Sequence, residues 1–165
     1  MLVLGVDPGL ATTGYGLVRE AEGGLQAVAY GVVTTSAEDA LPERLRQLYR
    51  ELSALIQKYQ PDEGAVEELF FSQNVRTAMS VGQARGVALL ALADANLPVT
   101  DYTPLTVKQA VSGFGGADKI QMQTTVKMLL RLESLPRPDD AADALAVAIC
   151  HLHSARLNQM LRTSQ

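Results

Sequence analysis

Four acidic side chains lie where a purely structural protein has little use for a charge. Asp7 ends an apolar segment, Glu67 lies within a second one, and Asp140 and Asp143 are three residues apart in an alanine-rich segment. Residues at that spacing share one face of a helix. Buried carboxylates are costly unless they are paired or bind a metal, and few basic residues adjoin these acids in the sequence. A divalent cation is therefore the simplest partner for the set.

The chemistry of the four side chains narrows the identity of that cation. Ligands that are all oxygen favour hard ions such as Mg²⁺ or Mn²⁺ over zinc. Four carboxylates can hold two such ions about 3.5–4 Å apart, an arrangement that serves phosphodiester hydrolysis. The sequence therefore predicts a nuclease-type metal site, with Asp7, Glu67, Asp140 and Asp143 as both ligands and catalytic residues.

Some of these acids also have simpler explanations. Asp139 is a plausible N-cap of the last helix. Asp140 alone could be a first-turn acid that the helix dipole favours. Asp7 could form a turn together with Gly9. Asp143 is harder to explain in this way, because it lies deeper in the apolar helix.

The composition is that of an ordinary globular protein. The chain has 165 residues, of which 47% are hydrophobic and 19% are charged. We expect a single domain over residues 1–157 and a frayed tail over residues 158–165. A single cysteine, Cys150, excludes an internal disulfide and a cysteine-rich zinc site, and we expect it to be a small buried residue.

Net charge and hydropathy bear on partners and location. The net charge is −4, with 14 basic and 18 acidic residues, so the four proposed ligands account for the whole excess of acids. A local basic face for nucleic acid therefore remains possible. The longest apolar run, residues 87–93, is far shorter than the roughly 20 residues that a bilayer requires. We expect a soluble cytoplasmic protein with no membrane partner.

Hydrophobic periodicity predicts an α/β protein. Expected strands cover residues 2–6, 15–19, 27–34, 64–69 and 98–102. Expected helices begin at residue 41 and cover residues 72–95, 104–111, 119–132 and 139 to about 157. Gly9, Gly14 and Gly16 suggest a tight turn after the first strand. The order β-β-β-α-β-α-β predicts a mixed five-stranded sheet flanked by helices, as in the ribonuclease H-like fold, although actin-like ATPase domains begin in the same way.

Five segments together resemble one family, the bacterial RuvC Holliday-junction resolvases. In chain order they read DPGLATTGYG, AVEELFF, GQARGVALL, TVKQAVSGFGGADKIQ and DDAADALAVAICH. The resemblance covers nearly the whole chain, from Leu2 to His153. It implies a homodimer with a ribonuclease H-like fold that binds four-way DNA junctions. It also implies paired symmetric nicks that use Mg²⁺ or Mn²⁺, in recombination and repair beside a branch-migration motor of the RuvA and RuvB type.

The same motifs carry the family's functional residues onto this chain. The catalytic acids fall on Asp7, Glu67, Asp140 and Asp143. The basic residues fall on Lys108 and Lys119, and the aromatic that stacks on a base falls on Phe70. Arg76 could extend the phosphate contacts. Lysines are more often simply solvated, and Phe70 or its neighbour Phe71 could be core residues, so each of these assignments has a structural alternative.

Other functions are compatible with parts of this pattern. A nuclease of the same fold that acts on structured RNA is one alternative, and a non-catalytic junction-binding module is another. An actin-like ATPase is a third, but the chain is short for the two lobes that its cleft requires. His151 could approach the metal face, although a surface or core histidine is the simpler interpretation.

Overall fold

The computed structural model describes residues 1–68 and 75–163, with side chains described for residues 1–68 and 78–155. Five strands form one sheet: β1 (Leu2–Asp7), β2 (Thr12–Ala21), β3 (Gly24–Thr34), β4 (Glu63–Glu67) and β5 (Val99–Tyr102). Their order across the sheet is β3-β2-β1-β4-β5. β1 pairs antiparallel with β2 and parallel with β4, which pairs parallel with β5. The predicted mixed five-stranded sheet is confirmed.

Five helices are described: α1 (Leu41–Tyr59), α2 (Val75–Asp94), α3 (Pro104–Ser112), α4 (Lys119–Leu129) and α5 (Asp139–Thr163). Each of the predicted helices is present. The last one extends to Thr163 rather than ending near Leu157. Residues 158–163 are therefore helical, so the last helix is longer than predicted, while the frayed tail over residues 158–165 stays a prediction. Within the described residues, no helix is long and apolar enough to cross a membrane.

The alternation of side chains along each strand divides the core into two layers. Val3 and Ala65 face a cluster that includes residues of α3, α4 and α5, whereas Leu4 and Val66 face residues of α1 and α2. All four side chains are at most 1% exposed. The helices thus cover both faces of the sheet, which explains why β1 and β4 read as uninterrupted apolar runs.

The segment after β1 differs from its prediction. β2 begins at Thr12, so Gly14 and Gly16 lie inside that strand and not in a turn. The turn itself is stabilised by the Thr13 hydroxyl, which donates to the Gly9 carbonyl oxygen at 2.6 Å. A glycine between apolar segments predicts a turn, but a glycine inside a strand can also mark the close approach of another backbone.

Candidate metal centre

Asp7 and Glu67 are the last residues of the neighbouring parallel strands β1 and β4. The residues before them, Val6 and Val66, are register partners. Since the carboxyl ends of parallel strands meet at one edge of a sheet, both carboxylates reach the same place, and a side-chain hydrogen bond joins them. Glu68 is exposed, as the alternation of side chains along the strand predicts.

Helix α5 reaches this edge because three strand positions are glycine. A Cβ atom at Gly14 would lie 1.9 Å from the Asp140 carbonyl oxygen. A Cβ atom at Gly5 would lie 2.2 Å from the Ala144 carbonyl oxygen, and one at Gly16 would lie 2.8 Å from the Leu145 nitrogen. The backbone of α5 therefore lies directly on β1 and β2. Sequence reasoning missed this role, although glycines at alternate strand positions opposite an alanine-rich helix were the available signal.

This packing brings Asp140 and Asp143 within electrostatic reach of Asp7. The pKa of Asp7 rises from its ordinary 3.8 to about 8, first because of burial and then because of Glu67, with contributions from Asp143 and Asp140. Burial is also the main cause of the raised pKa of Glu67 and of Asp143. The four predicted acids thus form one electrostatic group at the edge of the sheet.

The group shows a donor set suited to a hard cation. A side-chain hydrogen bond joins Asp7 to Glu67. Among the described residues, no three acidic, histidine or cysteine side chains are already arranged as metal ligands. Several buried carboxylates close together repel one another, and a divalent cation would relieve that repulsion by replacing their protons. The residues therefore fit Mg²⁺ or Mn²⁺ by their chemistry, and their role as ligands stays a prediction.

Two lysines flank the acids from the α3 and α4 side. Lys108 on α3 lowers the pKa of both Glu67 and Asp143 through its charge, which opposes the effect of burial. Lys119, at the start of α4, also lowers the pKa of Asp143. The structure thus brings both predicted basic residues to the carboxylate group, while their contact with DNA stays a prediction.

Asp139 does not cap α5, and the N-cap prediction is wrong. It is the first residue of the helix, and the carbonyl oxygen of the preceding Pro138 accepts hydrogen bonds from the Ala141 and Ala142 nitrogens at 3.0 and 3.3 Å. The Asp139 carboxylate instead accepts from Lys119 at 2.8 Å and from the Gln123 amide at 2.7 Å.

These two contacts give Asp139 a role distinct from that of Asp140. Hydrogen bonds from Lys119 and then from Gln123 hold the pKa of the Asp139 carboxyl below its usual range. The same ion pair raises the pKa of Lys119. Asp139 therefore orients Lys119 beside the acid group.

His151 is a core residue, as the simpler interpretation proposed. It is 4% exposed. Its Nε2 lies 2.7 Å from a Glu63 carboxylate oxygen, and its Nδ1 lies 3.1 Å from the Tyr102 hydroxyl. These contacts fasten α5 to β4 and β5 and so support the helix that carries Asp140 and Asp143. Cys150 is fully buried as predicted, and burial raises the pKa of its thiol to about 11.

Two other predicted DNA contacts are not placed by the structure. Phe70 lies outside the described residues, and so does its neighbour Phe71. Arg76 lies on α2, but its side chain is outside the described part. Their roles stay predictions.

Known proteins match nearly the whole length of the chain. The family model described as crossover junction endodeoxyribonuclease RuvC matches residues 3–151. A crossover junction endodeoxyribonuclease RuvC of Syntrophomonas wolfei is 57% identical over 164 residues, which cover 99% of this chain and 95% of that protein. The protein of the same name from Chloroflexus aggregans is 60% identical over 155 residues, which cover 94% of each chain.

A solved structure shows the same architecture. The chain resembles Thermus thermophilus RuvC in complex with a Holliday junction substrate, with a TM-score of 0.91 and 36% sequence identity. The match covers 96% of each chain.

Proposed function

The chain belongs to the RuvC family of crossover junction endodeoxyribonucleases, which are Holliday junction resolvases with a ribonuclease H-like fold, and we propose that Asp7, Glu67, Asp140 and Asp143 carry out its cleavage reaction. The fold and the function predicted from the sequence are thereby confirmed. The remaining proposals concern its residues, its metal ions and its partners.

One observation carries the assignment of the catalytic residues. Acids from three separate elements converge at one sheet edge, where burial and mutual repulsion raise the pKa of Asp7 to about 8. A structural role does not explain such a set, because replacing buried charges with apolar side chains of similar size is often neutral or stabilising. Strongly perturbed groups that cluster in this way are typical of functional sites.

We propose that the four carboxylates hold two divalent cations, Mg²⁺ or Mn²⁺. When bound, such ions stabilise the negative charge that develops on a phosphodiester and lower the pKa of water. The carboxylates of this chain supply the oxygen ligands. The tight contact between α5 and β2 at Gly14 keeps Asp140 in register with Asp7. Because the site is partly buried, electrostatic interactions in it are stronger than in bulk water.

We propose that Lys108 and Lys119 bind the phosphates on either side of the cleaved bond. Lysine binds phosphate as a compact point charge on a flexible side chain. The ion pair with Asp139 keeps the Lys119 ammonium at the site when DNA is absent. We further propose that Phe70 stacks on a base at the opened junction, on the basis of the sequence resemblance. We also propose that Arg76 contacts the DNA backbone, because it is a basic residue of α2.

We propose that the functional unit is a homodimer formed through α2. Met79 and Leu90 are 65% and 53% exposed. Gly86 lies between them, and a Cβ atom there would meet nothing within 4 Å. The spacing places all three on one helix face. Two identical subunits related by two-fold symmetry would present two identical sites for two symmetric nicks.

Further partners follow from the family alone. The resemblance to RuvC resolvases supports a branch-migration motor of the RuvA and RuvB type as partner, and it supports action on DNA in the bacterial cytoplasm. The alternatives of an RNA nuclease and a non-catalytic module are not favoured by the relatives, whose names state junction endodeoxyribonuclease activity.

The function is tested with a nuclease assay on defined substrates. The purified protein is incubated with an end-labelled mobile four-way DNA junction or a matched linear duplex, in Mg²⁺, in Mn²⁺ or in chelator. We expect paired symmetric nicks in the junction alone, and their loss in chelator. Cleavage of the linear duplex at the same rate would contradict the proposal, as would binding of the junction without cleavage in either metal.

A further inference from the structure

The loop between α3 and α4 carries an exposed phenylalanine that the functions above leave unexplained. Phe114 is 65% exposed. It lies between the two lysines of the site in sequence, because Lys108 is on the helix before the loop and Lys119 is on the helix after it. Lys119 forms an ion pair with Asp139 at 2.8 Å, and Lys108 acts electrostatically on Asp143, so the helices on both sides of the loop reach the acid group.

The loop holds this side chain in a defined position. The Ser112 hydroxyl has two acceptors for its one hydrogen, the Lys108 carbonyl oxygen at 2.7 Å and the Phe114 carbonyl oxygen at 2.9 Å, and it accepts from the Phe114 nitrogen at 3.3 Å. The Phe114 carbonyl oxygen also accepts from the Ala117 nitrogen at 3.2 Å. These bonds hold the backbone on both sides of Phe114. Binding of a ligand to the ring therefore requires little further ordering of the loop.

The glycines of the loop make room for the ring and its neighbour. A Cβ atom at Gly116 would lie 2.7 Å from two carbons of the Phe114 ring, so the ring packs directly against the backbone at Gly116 and would have to shift if another residue stood there. A Cβ atom at Gly115 would lie 2.6 Å from Leu105, which is itself 54% exposed. An apolar surface thus adjoins the phosphate-binding lysines.

We propose that Phe114 stacks on an unstacked base of the junction close to the cleaved strand, as a second aromatic contact besides that predicted for Phe70. This inference rests on the proposed function. Lysines on both sides would bind the phosphates, and an aromatic ring between them meets the base or sugar that those phosphates carry. A four-way junction offers such bases at its branch point, whereas an intact duplex keeps its bases stacked and paired.

The test measures DNA affinity in chelator, where cleavage does not interfere. Fluorescence anisotropy is recorded with a labelled four-way junction and a matched duplex for the wild type, Phe114→Ala and Phe114→Trp. Ile120→Ala is the matched control, because Ile120 is 70% exposed and adjoins Lys119. Loss of one base–aromatic stack corresponds to about a 5- to 100-fold loss of affinity.

We expect Phe114→Ala to weaken junction binding by about 5- to 100-fold. Phe114→Trp should keep the affinity of the wild type for the junction, and Ile120→Ala should change that affinity by less than about twofold. Binding of the linear duplex should change much less than binding of the junction in Phe114→Ala. A junction that contains 2-aminopurine at the branch point should show quenching with the wild type and less with Phe114→Ala. Thermal unfolding checks that each variant is folded.

Unchanged junction affinity in Phe114→Ala would overturn the inference and leave the ring as a surface for a protein partner. An equal loss in Phe114→Ala and Ile120→Ala would also overturn it, because the effect would then be general to the apolar surface. If the wild type itself does not prefer the junction to the duplex, the proposed function fails. This result differs from the two outcomes for the variants, because it concerns the wild type alone.

Discussion

Asp7 and Glu67 come from distant parts of the sequence, yet their side chains share a hydrogen bond at the ends of neighbouring parallel strands. That bond requires a proton, because two ionised carboxylates would repel each other. A divalent cation that bound these carboxylates would displace this proton.

The first prediction concerns the pH dependence of stability in chelator. The pKa of Asp7 is about 8 in the folded protein and 3.8 ordinarily, so the folded state binds more protons between these values. The free energy of unfolding should therefore fall as the pH rises from about 4 to about 8. Asp7→Asn has no carboxyl to ionise at this position, so it avoids this loss of stability, and the asparagine amide can still donate to Glu67.

We expect Asp7→Asn to be more stable than the wild type by about 1–3 kcal/mol at pH 8 and by less at pH 5, measured by urea unfolding. Asp39→Asn, which changes an exposed turn residue, is the matched control and should show neither effect. Equal stability of Asp7→Asn and the wild type at pH 8 would contradict the raised pKa.

The second prediction separates the two adjacent acids at the start of α5. Asp139 is bound to Lys119 and Gln123, whereas Asp140 belongs to the acid group. Asp140→Asn should reduce junction cleavage by more than about 100-fold, and Asp139→Asn by less than about 100-fold, as expected for a residue that acts through another. Single-turnover cleavage at saturating Mn²⁺ measures both. The opposite order would place the ligand on Asp139.

The third prediction concerns the contacts that fasten α5 to the sheet. Tyr102→Phe removes the hydroxyl that lies 3.1 Å from His151 Nδ1 and leaves a buried nitrogen without this partner. We expect a loss of about 1–3 kcal/mol in the free energy of unfolding. Tyr59→Phe, at a half-buried tyrosine of α1, is the control. Equal stabilities of the two variants would show that the contact contributes nothing.

The fourth prediction tests the proposed dimer surface on α2. Leu90→Glu places a charge on the exposed apolar face of Met79, Gly86 and Leu90, and burying that charge in an interface would be unfavourable. We expect the wild type to be dimeric and Leu90→Glu to be monomeric by light scattering coupled to size-exclusion chromatography. Met128→Glu, at a 71% exposed position of α4, should remain dimeric. A dimer that persists in Leu90→Glu would exclude this surface.

Local patterns were sufficient to predict most of the fold. The apolar runs around Val3 and Ala65, and the three- and four-residue spacing of leucines in α1, depend on residues that are near in sequence. The acid group was predictable from residue type, since carboxylates at the ends of apolar segments are rare without a function. The contacts of Asp139 were not predictable from the sequence, because they are made with Lys119 and Gln123 of another helix, α4.

The role of two glycines in β2 likewise could not be predicted from neighbouring residues alone. In the sequence, Gly14 and Gly16 look like turn residues, because glycine permits both tight turns and close packing. Only the position of α5 distinguishes the two roles, and that position depends on the whole sheet. The length of the last helix was likewise underestimated, because the mixed composition of residues 158–163 does not by itself indicate a helix.

The central claim is that the four acids carry the chemistry and not the binding, and one measurement on Asp7→Asn tests it most directly. Junction cleavage in Mg²⁺ and in Mn²⁺ and junction affinity in chelator are compared for the wild type, Asp7→Asn and Asp39→Asn. We predict that Asp7→Asn binds the junction at least as tightly as the wild type but does not cut it, while Asp39→Asn does both. Cleavage by Asp7→Asn at a rate close to that of the wild type would contradict the account.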